Sequence, residues 1–259
     1  MKAFLKLAVG LAAIVTVLTG QASAVVYVNE TFSYIDGPIT NGSSGVWTAF
    51  SGAVTAPVNI TNGHAITSGF LTQDVGLSLA GGPTASNTVL YASFDLWLDA
   101  LPLNTSTYFF NFKDNTTANF VGRLFAVTNT TTVGQYRVGM SINAGSAGGI
   151  YAQDIALGAT NKVVVKWDST ATTSNLYTLW LNPTSEGDPS VTISGTGLLN
   201  LPIYQVALRQ STNAGIENID NLMVGDSFSV VVPEPSTIAL VGMGLVGAMA
   251  FSRRRKFRK

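Results

Sequence analysis

The sequence predicts an all-β sandwich or jelly roll over residues 25–226, flanked by an N-terminal signal helix and a C-terminal transmembrane helix. Three observations carry the prediction. No stretch of 11 or more residues in the middle keeps a 3.6-residue apolar period. Thr, Ser, Asn, Gly and Val dominate there, and these favour strands and turns over helices. Aromatic and β-branched runs recur between clusters of turn residues.

The runs follow in chain order. In 89–98, Leu90, Ala92, Phe94, Leu96 and Leu98 fall on one side of a strand by the two-residue period. The turn Leu101-Pro102-Leu103-Asn104 leads to a strand over 107–112. Strands over 122–128 and 135–142 are separated by Asn129-Thr130-Thr131-Thr132. Those over 162–168 and 176–181 read as a hairpin with a flexible loop, and Pro183 ends the second because it cannot donate to a central ladder. Late strands cover 203–209 and 216–224. Pairing of the first and last strands would close the sheet edges, bringing Phe32-Ser33-Tyr34 beside 219–224.

A formal net charge of zero hides an asymmetry. Eight of the 14 basic residues lie in the two ends. Residues 25–232 hold six cations (Lys113, Arg123, Arg137, Lys162, Lys166, Arg209) against thirteen acids, a net charge of about −7. Such a surface repels nucleic-acid phosphate, so nucleic acid is excluded as a partner. There is no cysteine, which excludes a thiol protease and a Cys/His zinc site and leaves the domain to hold itself by its core.

The two ends read as addresses. Lys2 and Lys6, an apolar stretch over 7–18 and the small-residue site Ala22-Ser23-Ala24 have the layout of a secretory signal peptide, with Ala22 and Ala24 at the cleavage site and Val25 as the mature start. At the other end, Pro233-Glu234-Pro235 cannot continue a helix or a ladder and forms an extended hinge. An uncharged run over 238–251 follows, with three glycines. The chain then closes on Arg253, Arg254, Arg255, Lys256, Arg258 and Lys259, a cationic flank that stays on the cytoplasmic side. With its polar neighbours the run reaches 17 residues, the short end of the roughly 17–25 that span a membrane. The order of hinge, apolar span and basic plug resembles the PEP-CTERM sorting signal of exported bacterial proteins. That resemblance implies an exosortase-type sorting enzyme as partner, recognition and processing near Pro233, Glu234 and Pro235, and a cell-surface or extracellular destination, with membrane anchoring through the tail. The expected domains are 1–24, 25–226 and 227–259.

The segments Val163-Val164-Val165-Lys166-Trp167-Asp168, 177–183 and Ile219-Asp220-Asn221-Leu222-Met223-Val224-Gly225 resemble laminin-G/concanavalin-A-like jelly rolls. Lectins, adhesion modules and some glycosidases share that fold, so function must be argued from the site. His64, the only histidine, sits in a turn sequence with no Gly-x-Ser-x-Gly elbow nearby, and reads as a surface histidine. A glycosidase needs two opposed carboxylates. The nearest local pair, Glu217 and Asp220, is three apart and falls on opposite sides of a strand. No catalytic residue and no bound cofactor is expected. Calcium is the one metal the acids suit, with Asp95, Asp99, Asp114, Asn115, Asp154 and Asp168 as candidate ligands but no spacing that assembles them. Of the tryptophans, Trp97, Trp167 and Trp180 read as core, and Trp47 as the exposed sugar contact. The expected function is a non-catalytic surface or matrix protein of adhesion, exopolysaccharide binding or biofilm structure. A secreted glycoside hydrolase or polysaccharide lyase on the same fold is the alternative.

Overall fold

Alternation along 89–100 sets the architecture. In the computed structural model, which describes residues 24–103, 107–128 and 130–233, Leu90, Ala92, Phe94, Leu96 and Leu98 are all fully buried in one core cluster. The strands, in chain order, are β1 (Val26–Glu30), β2 (Gly37–Pro38), β3 (Trp47–Ser51), β4 (Asn59–Thr61), β5 (His64–Ser68), β6 (Asp74–Ser78), β7 (Val89–Ala100), β8 (Tyr108–Lys113) and β9 (Phe120–Val127). They continue with β10 (Gln135–Ser141), β11 (Gly149–Ile150), β12 (Ile155–Ala156), β13 (Asn161–Asp168), β14 (Asn175–Leu181), β15 (Val191–Gly195), β16 (Gln205–Leu208) and β17 (Ile216–Gly225). Two single turns of helix, α1 (Ile39–Gly42) and α2 (Phe228–Val231), complete the described chain.

The strands form two antiparallel sheets. The first runs β15-β14-β13-β7-β17-β5-β4-β2, with β1 on β17 as its ninth strand. The second runs β11-β10-β9-β8-β16-β6-β3, with β12 on β10 as its eighth. The predicted hairpin is present: β13 and β14 pair from Val163↔Leu181 to Asp168↔Leu176. Between β4 and β5, Asn62 and Gly63 both have positive φ, the tight hairpin turn that glycine and asparagine permit. Between the sheets lies a core of aromatic and aliphatic side chains, including Phe94, Phe110, Phe112, Trp167, Tyr177 and Ile219.

First and last strands do pair, but through β1 rather than 32–34: Val28 faces Val224 and Glu30 faces Leu222. The reason lies in Glu30. Its buried carboxylate accepts hydrogen bonds from the Phe32 amide at 2.6 Å, the Tyr34 hydroxyl at 2.6 Å and the Trp47 indole N–H at 3.0 Å. That knot pulls Phe32 into positive φ and turns 31–36 away from the ladder.

The folded body continues past 226. The Asp226 amide bonds Val25 O at 3.1 Å, and the Val25 N–H returns to Asp226 Oδ1 at 2.9 Å. Phe228, Val231 and Val232 then pack on the outer side of the nine-stranded sheet against Tyr91, Val164 and Trp180. The Ser93 hydroxyl, on the same side as Tyr91, donates to Val231 O at 2.7 Å. Phe228 meets both Tyr91 and Trp180 edge-on, with centroids 6.2 and 5.7 Å away. Among the described residues no helix is long and apolar enough to cross a membrane. The expected signal helix, the transmembrane helix and Glu234, Pro235, Arg253, Arg254 and Arg255 lie outside them, as does Ala22.

Candidate functional site

The outer side of the eight-stranded sheet carries the most concentrated chemistry, and a slip in strand alternation puts it there. Phe109 and Phe110 are consecutive, yet both are in the core. The β8–β9 register is irregular between Tyr108 and Phe110 and again between Phe110 and Phe112. The slip leaves Tyr108 on the outer side, packed with Phe125 and Val127. Beyond it, Asn111 and Lys113 alternate with the core residues Phe110 and Phe112. On β9, Gly122 sits at φ +59, where a Cβ would come within 2.9 Å of the Phe112 ring. Glycine at 122 therefore allows the turn of backbone that sends Arg123 outward.

Tyr108 is held between two guanidinium groups. Arg123 Cζ lies 4.5 Å from the ring centroid and Arg209 Cζ 4.4 Å. Arg123 is tethered by hydrogen bonds from Nε to Phe120 O and from Nη1 to Ala144 O, each 3.2 Å. Arg209 follows β16; its amide bonds Phe109 O at 2.8 Å, and its Nε is 3.8 Å from Asp74 Oδ2. Lys113 Nζ sits 4.7 Å from the Phe50 centroid and donates to Asp114 O and Gln205 Oε1. Phe50, Phe120, Tyr108 and Phe125 form a continuous aromatic row with centroid spacings of 5.9, 6.5 and 5.8 Å.

Burial shapes the electrostatics. Removal from water pushes the Lys113 ammonium below the usual lysine range, and pushes Arg123 down as well, with Arg209 adding to the latter. Burial raises the Tyr108 hydroxyl against the pull of both arginines, so it is a neutral donor at physiological pH. Asp74 accepts from the Gln210 amide and the Ser51 hydroxyl, while burial raises its carboxyl. Asp114 is occupied by Thr116 and Asn119. Asn111 is fully buried and its Oδ1 has no hydrogen-bond partner among the described residues.

Other sequence candidates are scattered. Trp47 is 1% exposed, its ring stacked on Phe32 and its N–H on Glu30, so the expected sugar contact is a core residue. Trp167 and Trp180 are buried as expected. Trp97 is not: it lies partly exposed on the outer side of the nine-stranded sheet, 4.8 Å from the His64 ring. Glu217 is 2% exposed and Asp220 is partly exposed, on opposite sides of β17 as the spacing predicts. The calcium candidates serve separate local roles. Asp95 pairs with Lys162 and Asn221, Asp99 with Asn218, Asp154 with Arg137, and Asp168 with Thr170, while Asn115 is exposed. Among the described residues no three His, Cys, Asp or Glu side chains gather around a possible metal. Pro233, the described member of the hinge, is exposed directly after the docked Val232, and Ala24 is exposed beside Val25.

A sandwich of two large antiparallel sheets, with its first and last strands paired, is the jelly roll of the concanavalin-A-like proteins. Its solved relatives in shape include the alginate lyase Aly36B (13% identity, 76% of this chain and 95% of that chain, TM-score 0.50). Peanut lectin (15% identity, 80% and 98%, TM-score 0.45) and the carbohydrate recognition domain of Emp47p (10%, 80% and 100%, TM-score 0.43) are similar too. At these identities the likeness is one of fold alone. No curated protein matches the chain in sequence. The tail is more specific: the PEP-CTERM protein-sorting motif matches residues 231–256, so the chain is a jelly roll that carries a PEP-CTERM sorting motif.

Proposed function

We propose that this is an exported, exosortase-sorted surface or extracellular-matrix protein whose jelly roll binds polysaccharide without catalysing a reaction on it. The observation that carries the reading is the Arg123–Tyr108–Arg209 cluster, with both arginines and the neighbouring Phe50 and Phe120 partly exposed while Tyr108 and Phe125 are buried, in a chain that carries a sorting motif. Guanidinium groups suit the carboxyl and hydroxyl groups of a sugar chain. The hydrolase or lyase alternative lacks comparable support. The acids at this side, Asp74 and Asp114, are both engaged in holding the fold, and burial holds the Tyr108 proton in place.

The sorting enzyme would act at or near Pro233, Glu234 and Pro235, and the basic end from Arg253 would fix orientation with the jelly roll outside. Signal cleavage after Ala24 would leave Val25 as the mature start. No metal is needed for this reading. Detergent-solubilised full chain on a glycan array tests it: retention by a polysaccharide, lost when Tyr108 and Arg123 are replaced together, is expected. Absence of retention by any glycan would overturn it, and release of new reducing or unsaturated ends would favour the enzyme.

A further inference from the structure

Half of the cations in this acidic body stand on one sheet side, two of them without a salt bridge among the described residues. Among the described residues, the other three are matched: Arg137 with Asp154, Lys162 with Asp95 at 2.8 Å and Lys166 with Glu186 at 3.1 Å. Lys113 and Arg123 make no salt bridge among the described residues, and Arg209 has a loose one with Asp74 at 3.8 Å. In a body with thirteen acids against six cations, chance pairing would consume the cations first. Instead two guanidiniums are placed on one tyrosine ring, no more than about 9 Å apart given their distances to it. Asp74 answers Arg209 alone, at 3.8 Å, and leaves the Arg123 charge without a carboxylate partner among the described residues.

We propose that this side takes an anionic polysaccharide, with carboxylate or sulfate groups of the chain meeting Arg209 and Arg123. This rests on the polysaccharide-binding reading above and narrows it to a ligand class. The planar guanidinium matches a carboxylate or sulfate in two parallel hydrogen bonds. Arg209 makes no hydrogen bond through its side chain among the described residues, and it is 29% exposed. Its donors are thus available to a ligand. Arg123 is fixed by two carbonyls, so it presents a pre-oriented charge rather than a floppy one. By contrast, the outer side of the nine-stranded sheet presents Asp95, Asp99 and Asp220, and its lysines are already paired. Only one side of the sandwich suits an anion.

Detergent-solubilised full chain is passed over immobilised polygalacturonate, its carboxyl-reduced neutral form, dextran sulfate, dextran and polyglutamate. Retention on polygalacturonate or dextran sulfate, not on the neutral polymers, is expected, and it should fall steeply as salt rises. R209Q should weaken it about tenfold, the loss of a hydrogen-bonded charge contact. K166Q, on the other sheet, should leave it unchanged. R209Q removes the Asp74 pair and the stack on Tyr108 but no side-chain hydrogen bond among the described residues, so an unaltered melting curve is the check that binding alone changed. If R209Q does unfold the chain, R209K serves, keeping the charge while losing the planar fork. Equal retention on carboxyl-reduced and carboxylated polymer would overturn the anionic class and leave the polysaccharide reading standing. Equal retention on polyglutamate would overturn sugar recognition in favour of any polyanion. Retention on none of the five would overturn both, and retention indifferent to R209Q in a folded variant would overturn the site.

Discussion

Glu217 should make this protein less stable as pH rises through neutrality. The carboxyl is 2% exposed and accepts from the Thr67 hydroxyl and the Gly215 amide, each at 2.9 Å. Burial outweighs those two bonds and raises it from 4.5 to about 7. Tyr136 adds no hydrogen bond: its buried hydroxyl has no partner among the described residues, and the Glu217 charge pushes it further up. A carboxyl raised in the folded state binds its proton more tightly there than when unfolded. Its effect is therefore absent below about pH 4.5, develops between about 4.5 and 7, and is a full penalty above. A rise of about 2.5 units corresponds to roughly 3 kcal/mol. For a body of this size that is of the order of 6–12 °C in Tm.

The perturbation is Glu217→Gln. Glutamine accepts one of the two hydrogen bonds but brings an N–H2 that needs a partner, a cost of about 1–3 kcal/mol that does not vary with pH. Absolute stability is therefore a poor readout, and the change between pH 5 and pH 8 is the clean one. Urea unfolding at both pH values should show wild type losing roughly 2.5 kcal/mol more than the variant as pH rises. The other strongly shifted acids do not blur the window. Asp154 and Asp188 are held down to about 2, chiefly by hydrogen bonds from Thr131 and from Thr184, so they act at lower pH. If wild type and Glu217→Gln change by the same amount between pH 5 and 8, the carboxyl is not titrating in that window and the reasoning fails.

Gly225→Ala should loosen α2, because the added Cβ would come within 2.5 Å of Val230 Cγ1 and 2.8 Å of Val25 O; faster proteolysis after Asp226 with the sheets intact is the expected result. Trp47→Phe should cost about 1–3 kcal/mol in urea unfolding, since Glu30 loses its indole donor while buried. Alanine at Pro233, Glu234 and Pro235 should leave membrane insertion intact and block processing; intact mass of surface-released protein, in cells with and without the sorting enzyme, reads this out, and the complete tail on released wild-type protein would contradict it. N-terminal sequencing should return Val25, whose amine then becomes an ammonium 2.9 Å from Asp226 Oδ1; recovery of Met1 would show an uncleaved anchor.

What the sequence makes legible follows from range. The β13–β14 hairpin and the core side of β7 could be read directly, because alternation and a short loop are local signals. Burial of the tryptophans could not. Trp47 follows a Gly-Ser-rich stretch and looks exposed, but its N–H is satisfied by Glu30, 17 positions earlier. Trp97 shares a strand with five core residues, yet its parity puts it on the other side, a point the two-residue period did contain. The cation cluster was illegible for a different reason. Lys113, Arg123 and Arg209 are isolated in sequence, and only the order β9-β8-β16 sets them side by side. Even then the outward turn of Arg123 depends on the slip at Gly122, which strict alternation does not anticipate. The sorting motif needed no fold at all, since its parts lie in order along the chain.

The docking of 228–232 sets the stance of the molecule. The last packed residue, Val232, is followed by only five residues, 233–237, before the apolar run begins. Fully stretched, five residues reach about 17 Å. With the tail in the membrane as proposed, the jelly roll is on a short leash fastened to the back of the nine-stranded sheet. That back would then lie near the lipid headgroups, with the opposite sheet, about 10 Å further across the sandwich, turned away. Arg123, Tyr108 and Arg209 would therefore face whatever lies outside the cell while the protein is still tethered, and cutting the leash would change where they can travel rather than what they can hold.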